Sequence, residues 1–470
     1  MAFLSLEWQV IGLFGAQGLR PTAMWLEQVR AQLGGSAWLQ LPTLFWLGAS
    51  DRALEWTCIA GVAVSVVVVL GLIPRLGLIA AWLLYLSLTN AGEPFLSYQW
   101  DALLLETGFL AIFWAPDTWR LGSPAARSPS LLILWLLRWL LFRLMFFSGW
   151  VKLQSGDPAW WNLTALEWHY ETQPLPAWTS WYMDQLPTWF QMISCAGMMV
   201  VELGLPFLII LGRRARLIAF AGFVGLQAFI AATGNYGFFN LLSVVLCIPL
   251  LDDRQLFAVD RRRRIWTETR DARREGQVKR IVNAFAAALV LLLSIPSAVS
   301  QLTGVAGPWL HAANLVSFAR PFQVVGRYGL FAVMTKTRPE VLIEGSDDGE
   351  TWKPYVFRWK PGPLDRAPAF VEPDMPRLDW QMWFDGLYIE RMLQSGTRGF
   401  DLVTPDLMRR LQEGSPVVLA LLESNPFPDH PPRQLRWSLY NYRFTDAAER
   451  EQTGNWWKRE LIHAEEPPAR

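Results

Sequence analysis

Apolar residues run in long blocks at about 54–73, 76–90, 100–115, 131–151, 189–211, 216–233, 236–251 and 280–303, separated by short polar joints. Blocks this uniformly apolar predict helices that are hydrophobic all round, as membrane spans are. A straight span needs ~20 residues, with a range of ~17–25. The blocks at 76–90, 100–115 and 236–251 fall short of that. They either recruit flanking Trp and Tyr or lie buried and partly re-entrant. The opening stretch 1–21 lacks a basic leader and is interrupted by Glu7, so it reads as the second half of a membrane helix, short or missing its start, and not as a secretory signal. The expected architecture is an α-helical multi-pass membrane bundle of eight or nine helices over residues 1–303.

Two stretches break the pattern. Residues 152–188 predict a long outside loop rich in Trp and Pro, and loops of that length usually carry function. From about 304 the chain predicts a soluble, β-rich, sandwich-like domain that runs to 470. Its expected strands are Pro339–Gly345, Trp352–Trp359, Val417–Leu422 and Leu435–Phe444, with Asp347-Asp348-Gly349 as a hairpin turn between the first two. Leu378–Met392 and Pro405–Gln412 are expected as short helices.

Composition agrees with a membrane protein. Hydrophobic residues make up 52% of the chain and charged residues 18%, below the ~25% of soluble proteins. The 27 Trp residues suit interfacial belts. Net charge is +1, which gives no bulk attraction to nucleic acid. Cys58, Cys195 and Cys247 stand alone in apolar segments and the four histidines are scattered, so neither a disulfide framework, nor a metal site, nor a cofactor is expected.

The loop 252–280 is the most basic, with Arg261-Arg262-Arg263-Arg264 at its centre. Placing it in the cytoplasm and alternating outward puts sixteen Lys and Arg on the inner side against four outside. That orientation puts everything after 303 outside, in the periplasm or in a eukaryotic lumen, where Asn162-Leu163-Thr164 would be a glycosylation sequon. The loop also suits anionic lipid, so membrane lipids are expected partners.

The block Tyr98 to Pro116 holds Asp101 and Glu106 at membrane depth, where a carboxylate is costly without a partner. Five residues apart on a helix, they lie ~140° and ~7.5 Å from each other, so they do not share a face. The next block carries Arg138 and Arg143. Glu106 and Arg143 lie at the same depth, ~9–10 Å from the outer ends of antiparallel neighbours, which predicts an intramembrane ion pair. Asp101 is expected nearer the interface, bonded to water or backbone, and Glu202 and Gln227 are further intramembrane polar residues. His169, with Glu171 beside it, is the best acid–base candidate outside the membrane. Trp160, Trp161, Trp168, Trp178, Trp181, Trp380 and Trp383 are candidates for binding a client protein, with interfacial anchoring as the alternative.

Several blocks carry a family spelling: Gln99 to Phe113; Ser148-Gly149 through Ser155-Gly156-Asp157 to His169-Tyr170-Glu171-Thr172-Gln173-Pro174; Asn235-Tyr236-Gly237-Phe238-Phe239-Asn240; Arg327-Tyr328-Gly329-Leu330-Phe331 with Glu344-Gly345-Ser346; and Pro376 to Phe384. By these blocks the chain resembles the lipase maturation factor family of multi-pass membrane proteins. The resemblance implies a role in folding exported proteins, lipases above all, since animal members work in the endoplasmic reticulum membrane. The composition suggests a bacterial member, placed in the cytoplasmic membrane with its C-terminal domain in the periplasm. Two rivals stay open at this point. One is a membrane enzyme acting on a lipid or secreted substrate, with Glu106, Arg143, His169 and Glu171 around one outward pocket. The other is a transporter, which would call for a midplane polar pathway.

Overall fold

The computed structural model describes residues 1–120, 129–252, 276–304, 318–397 and 399–465. The centre of the basic loop lies outside the described residues. Two short helices open the chain, α1 (Ala2–Glu7) and α2 (Val10–Phe14), followed by an amphipathic α3 (Thr22–Leu33). The bundle continues with α4 (Asp51–Val69), α5 (Pro74–Ala91), α6 (Gln99–Trp114) and α7 (Leu131–Gln154). After an insert come α11 (Thr188–Met199), α12 (Arg213–Thr233), α13 (Phe239–Cys247) and α14 (Gln277–Thr303). Among the described residues, five helical segments are long and apolar enough to cross a membrane: Asp51–Val69, Leu131–Gln154, Thr188–Ile210, Arg213–Thr233 and Gln277–Thr303. The chain is thus a multi-pass membrane protein. The span beginning at Thr188 is not a uniform α-helix: it passes through a π turn at Val200–Gly204 and a 3-10 stretch at Leu205–Ile210. Pro206 cannot donate the next helical hydrogen bond, which accounts for the change of pitch.

The expected loop 152–188 is instead a helical insert. It begins in the last turn of α7 and forms α8 (Pro158–Trp161), α9 (Leu166–Thr172) and α10 (Trp178–Asp184). Asp157 caps α8 by accepting from Ala159 N–H at 2.9 Å, with Pro158 at the first helical position. The prolines that suggested a loop mark helix starts and joints.

The C-terminal region has one four-stranded antiparallel sheet in the order β2-β1-β5-β6, made of β1 (Pro339–Ser346), β2 (Lys353–Pro354), β5 (Gln434–Phe444) and β6 (Trp457–Ala464). A two-stranded piece pairs β3 (Val356–Phe357) with β4 (Leu422–Ser424). The β1–β5 register runs from Pro339 opposite Asn441 to Ser346 opposite Gln434. Side chains alternate across it: Val341, Ile343 and Leu439 enter one core, while Leu342, Tyr440, Tyr442 and Phe444 enter another with Trp457. α15 (Arg377–Ser395) covers the first face, and Gly386 allows the contact, since a Cβ there would lie 2.1 Å from the Pro339 carbonyl oxygen.

A sheet-on-sheet sandwich was expected. A helix on a sheet is found, because Leu378, Met382 and Ile389 of α15 fill the space a second sheet would need. The expected strand Val417–Leu422 is mostly a helical turn, Pro416–Leu419, started by Pro416, and only Leu422 onward is extended. The expected strand Trp352–Trp359 divides between the two sheets on either side of Tyr355.

The larger core of the C-terminal region is shared with the N-terminal helices. Phe3, Leu6, Leu13 and Tyr85 from the first helices, with Phe95 from the turn before α6, share one continuous cluster with Val341, Ile343, Met382, Leu407 and Val418. Leu407 and Leu411 come from α16 (Thr404–Gln412), close to the expected bounds. Gly12 marks the closest approach: a Cβ there would sit 2.6 Å from the Val417 carbonyl oxygen. The N-terminal helices therefore bind the bundle to the sheet.

Candidate functional site

α6 carries the main polar ties between bundle and C-terminal region. Asp101, in its first turn, is fully buried. Arg377, at the start of α15, donates Nη1 to Oδ2 at 2.6 Å and Nη2 to Oδ1 at 2.8 Å. The Tyr85 hydroxyl donates to Oδ1 at 2.5 Å. Asp101 was expected to bond water or backbone. It is held instead by a bidentate guanidinium 276 residues away, the strongest form such a contact takes.

Glu106 lies one turn deeper. Its Oε1 accepts from Arg143 Nη2, and its Oε2 accepts from Gly326 N–H at 2.7 Å and from the Tyr328 hydroxyl at 2.6 Å. Arg143 also donates Nη1 to the Gly326 carbonyl at 3.2 Å. Sequence reasoning brought Glu106 and Arg143 to one level; the fold adds the segment 326–328, gripped by both. Arg138 joins neither network. Its Nε donates to the Pro249 carbonyl at 3.0 Å and its guanidinium lies over Trp135.

Glu202, in the π turn, pairs with Lys152 at 2.6 Å, both buried. Gly149 allows this, since a Cβ there would lie 2.9 Å from the Cβ of Glu202. Arg338, wholly buried before β1, donates to the carbonyls of Glu171 at 2.8 Å, of Pro174 at 2.7 Å and of Gln173, and pairs with Glu340 at 3.0 Å. It ties the insert to the sheet. Lys360 completes the group, 2.7 Å from Glu340. Glu372 does similar work: its Oε1 accepts from Tyr236 N–H at 2.7 Å and Asn240 Nδ2 at 3.0 Å.

His169 and Glu171 share α9 but face different surroundings. Glu171 Oε2 accepts from Phe444 N–H at 3.1 Å, with Arg443 3.7 Å from Oε1, at the end of β5. Burial raises its carboxyl above the usual range. His169 Nε2 meets the Tyr236 hydroxyl at 3.2 Å, and that hydroxyl donates to Gln173 Oε1 at 2.9 Å. Gln173 is oriented by its amide nitrogen, which donates to Ser180 and to the Thr233 carbonyl. Tyr236 has one proton and gives it to Gln173, so His169 donates Nε2–H and keeps Nδ1 as an acceptor. Burial, helped by nearby Lys152, pushes His169 down to about 4, which leaves it neutral.

His169 lines a cavity of about 210 Å³ between α7, α11, α12 and α13, roofed by α8 and α9. Across Tyr236, Leu330 and Phe331 lies a wider groove of about 580 Å³, between the start of α6, residues 329–335 and α15. The groove is aromatic: Tyr98, Trp100, Trp380, Trp383, Phe384 and Tyr388 line it. Tyr98 stacks on Trp100 and on Phe384, and Trp380 meets Trp100 edge-on at 4.7 Å. The indole N–H groups of Trp100 and Trp380 are buried without a protein acceptor.

The tryptophans expected as client-binding candidates therefore divide. Trp161 and Trp178 are exposed, and Trp168 is intermediate. Trp160, Trp181, Trp380 and Trp383 are buried. Trp160 donates to the Phe331 carbonyl at 3.1 Å, Trp181 to that of Thr445 at 2.8 Å, and Trp383 to that of Thr172 at 3.0 Å, so these three brace the interface. Trp380 walls the groove. The residues that sequence reasoning left without a role, Arg377, Tyr328, Tyr236 and Arg338, are the ones that cross between regions. Three of them stand inside the family-spelled blocks, which was the available signal. Among the described residues no three His, Cys, Asp or Glu side chains gather as a metal site would require.

Comparison with known proteins agrees with this architecture. Residues 1–258 match the lipase maturation factor transmembrane domain, and residues 324–467 match the lipase maturation factor C-terminal domain. The chain is 34% identical to Lipase maturation factor 2 of Xenopus tropicalis over 99% of its own length and 79% of that protein's. It is 34% identical to Lipase maturation factor 2 of Homo sapiens, over 98% of its length and 79% of the relative's. With Lipase maturation factor 1 of Mus musculus it shares 33% identity over 100% of its length and 84% of the relative's. No solved structure matches it. Two family models in chain order, and relatives whose matches span nearly all of this chain, establish that it belongs to the lipase maturation factor family.

Proposed function

We propose that this chain is a membrane-embedded maturation factor for exported proteins, with lipases as the client class its relatives' names suggest. The aromatic groove carries the reading. It offers a large apolar wall beside two buried indole donors with no protein acceptor, which suits an extended segment whose backbone carbonyls need donors. Trp161 and Trp178 add exposed aromatic surface on the insert.

The rival reading, an enzyme built on Glu106, Arg143, His169 and Glu171, needs those four groups on one cavity. Only His169 lines one; the other three are engaged elsewhere. We place the chain in a bacterial cytoplasmic membrane, with residues 304–470 in the periplasm and eight or nine spans once α5, α6 and α13 are counted with the longer helices. Lipid is the expected surrounding and nucleic acid is not a partner.

The test uses the full chain in its native membrane. A photo-crosslinking residue at Val333 or Leu387, on the groove, should capture an exported protein. Deleting the gene should lower secreted lipase activity more than secreted lipase protein. Capture of no exported protein, together with an unchanged secreted proteome, would sink the proposal.

A further inference from the structure

The cavity roofed by α9 holds more unpaired polar atoms than the aromatic groove. Among the described residues, His169 Nδ1, the Tyr170 hydroxyl, Gln227 Oε1 and Asn240 Oδ1 are buried without a protein hydrogen-bond partner, and all four residues line this one cavity. Gln227, Asn240 and Tyr170 are each more than nine-tenths buried. Unpaired buried polar atoms cost free energy, and four in one place mark a site whose partners come from outside the chain.

Three of the four are acceptors. Gln227 and Asn240 present amide oxygens, with Asn240 fixed by its donation to Glu372, and His169 presents bare Nδ1 because Nε2 donates to Tyr236. Tyr170 can donate. Among the described residues the only cation on the wall, Lys152, is already neutralised by Glu202 and also donates to the Ser148 carbonyl. A carboxylate or phosphate would bring more acceptors and find no free cation. Hydroxyl groups answer the three acceptors, and an ester carbonyl answers Tyr170.

The remaining wall is apolar. Leu144 and Lys152 stand eight residues apart on α7, ~12 Å along the helix, so the lining changes from hydrocarbon to polar over that rise. Met145, Val201 and Leu226 share the apolar part. The cavity also reaches the flank of the bundle: Gly197 of α11 and Phe229 of α12 both line it and are both exposed, on two helices long enough to span a membrane. An acyl chain can leave the cavity at that flank.

We propose that this cavity binds a neutral, hydroxyl-bearing lipid of the acylglycerol type, with its glycerol head among His169, Tyr170, Gln227 and Asn240 and its acyl chain leaving between α11 and α12. The site is independent of whether the client is a lipase.

The test uses the full chain in nanodiscs and three photoreactive lipids with the same diazirine-bearing chain: a monoacylglycerol, a free fatty acid and a lysophosphatidic acid. The monoacylglycerol should label peptides of α7, α11 and α12 saturably, and unlabelled monoacylglycerol should compete. Gln227→Leu should weaken competition by about fivefold to tenfold, as expected for one lost hydrogen bond. Gly197→Trp, at an exposed position with open space around its Cβ, keeps the fold and should slow labelling by narrowing the cavity at that flank. Equal labelling by the fatty acid or the phosphate lipid overturns the proposal. So does labelling that Gln227→Leu leaves unchanged, or the absence of any saturable label, which would mean that water alone satisfies these atoms.

Discussion

The carboxylates of the α6 interface and the polar atoms of the cavity roofed by α9 are both buried, yet they are met differently. At the interface each carboxylate is matched: Asp101 takes both arms of Arg377 and the Tyr85 hydroxyl, while Glu106 takes Arg143, Tyr328 and a backbone N–H. In the cavity four polar atoms are left over. Buried polarity that closes on itself holds two regions in one arrangement; buried polarity left open awaits a ligand. The two places should therefore respond to substitution in opposite ways.

The largest expected effect is at Arg377. Arg377→Leu strands Asp101 as an uncompensated buried charge and should destabilise the protein by about 3–5 kcal/mol, read as a fall in detergent melting temperature and in membrane abundance. Adding Asp101→Leu should recover most of the loss, because a buried pair replaced as a unit costs little. Failure of the double variant to improve on the single would break the comparison at its stronger end.

Next comes Glu106 with Arg143. Reversing either charge alone should impair assembly. Exchanging the two should restore it only in part, because Glu106 also accepts from Gly326 N–H and Tyr328, which an arginine cannot do. Full recovery would show that the segment 326–328 is held by other means.

A smaller effect is expected in pH dependence near the cavity. His169 is pushed down to about 4 by burial. Below its unfolded value of ~6.5 the unfolded chain takes up a proton that the folded one refuses, so stability falls as pH drops from ~6.5 to about 4. His169→Gln should flatten that fall. Glu372 acts in the opposite direction: burial raises it to about 7, against the pull of Tyr236 N–H and Asn240. The folded form keeps its proton longer, so stability is lost as pH rises from ~4.5 toward 7, and Glu372→Gln should remove that slope. Melting temperatures of the two variants across this range should diverge from the parent with opposite signs.

The smallest effect should be Gln227→Leu, which removes an unpaired buried amide oxygen. Its melting temperature should match or slightly exceed the parent, within about 1 kcal/mol. A loss as large as that of Arg377→Leu would place Gln227 among the matched groups and erase the contrast.

Much of this was legible before any coordinates. α15 and α16 were expected within two or three residues of their bounds, because their apolar positions recur with helical spacing. The Glu106–Arg143 level followed from rise per residue and the alternation of spans, since neighbouring antiparallel helices constrain depth. The tryptophans were legible only as a class, because burial depends on what packs against each indole: Trp161 and Trp160 are adjacent, yet one is exposed and the other buried.

By itself the sequence determined a membrane bundle, the two carboxylates that need partners, and a family spelling. Those are local or periodic properties, set by hydropathy over a few turns and by residue identity. Only the tertiary structure decided that Arg377 is the partner of Asp101, that the C-terminal sheet shares its core with the first helices, and that four residues with unpaired polar atoms line one cavity. No periodicity links positions 276 residues apart. Such contacts exist because the folded chain must satisfy each buried charge wherever a matching group can reach it.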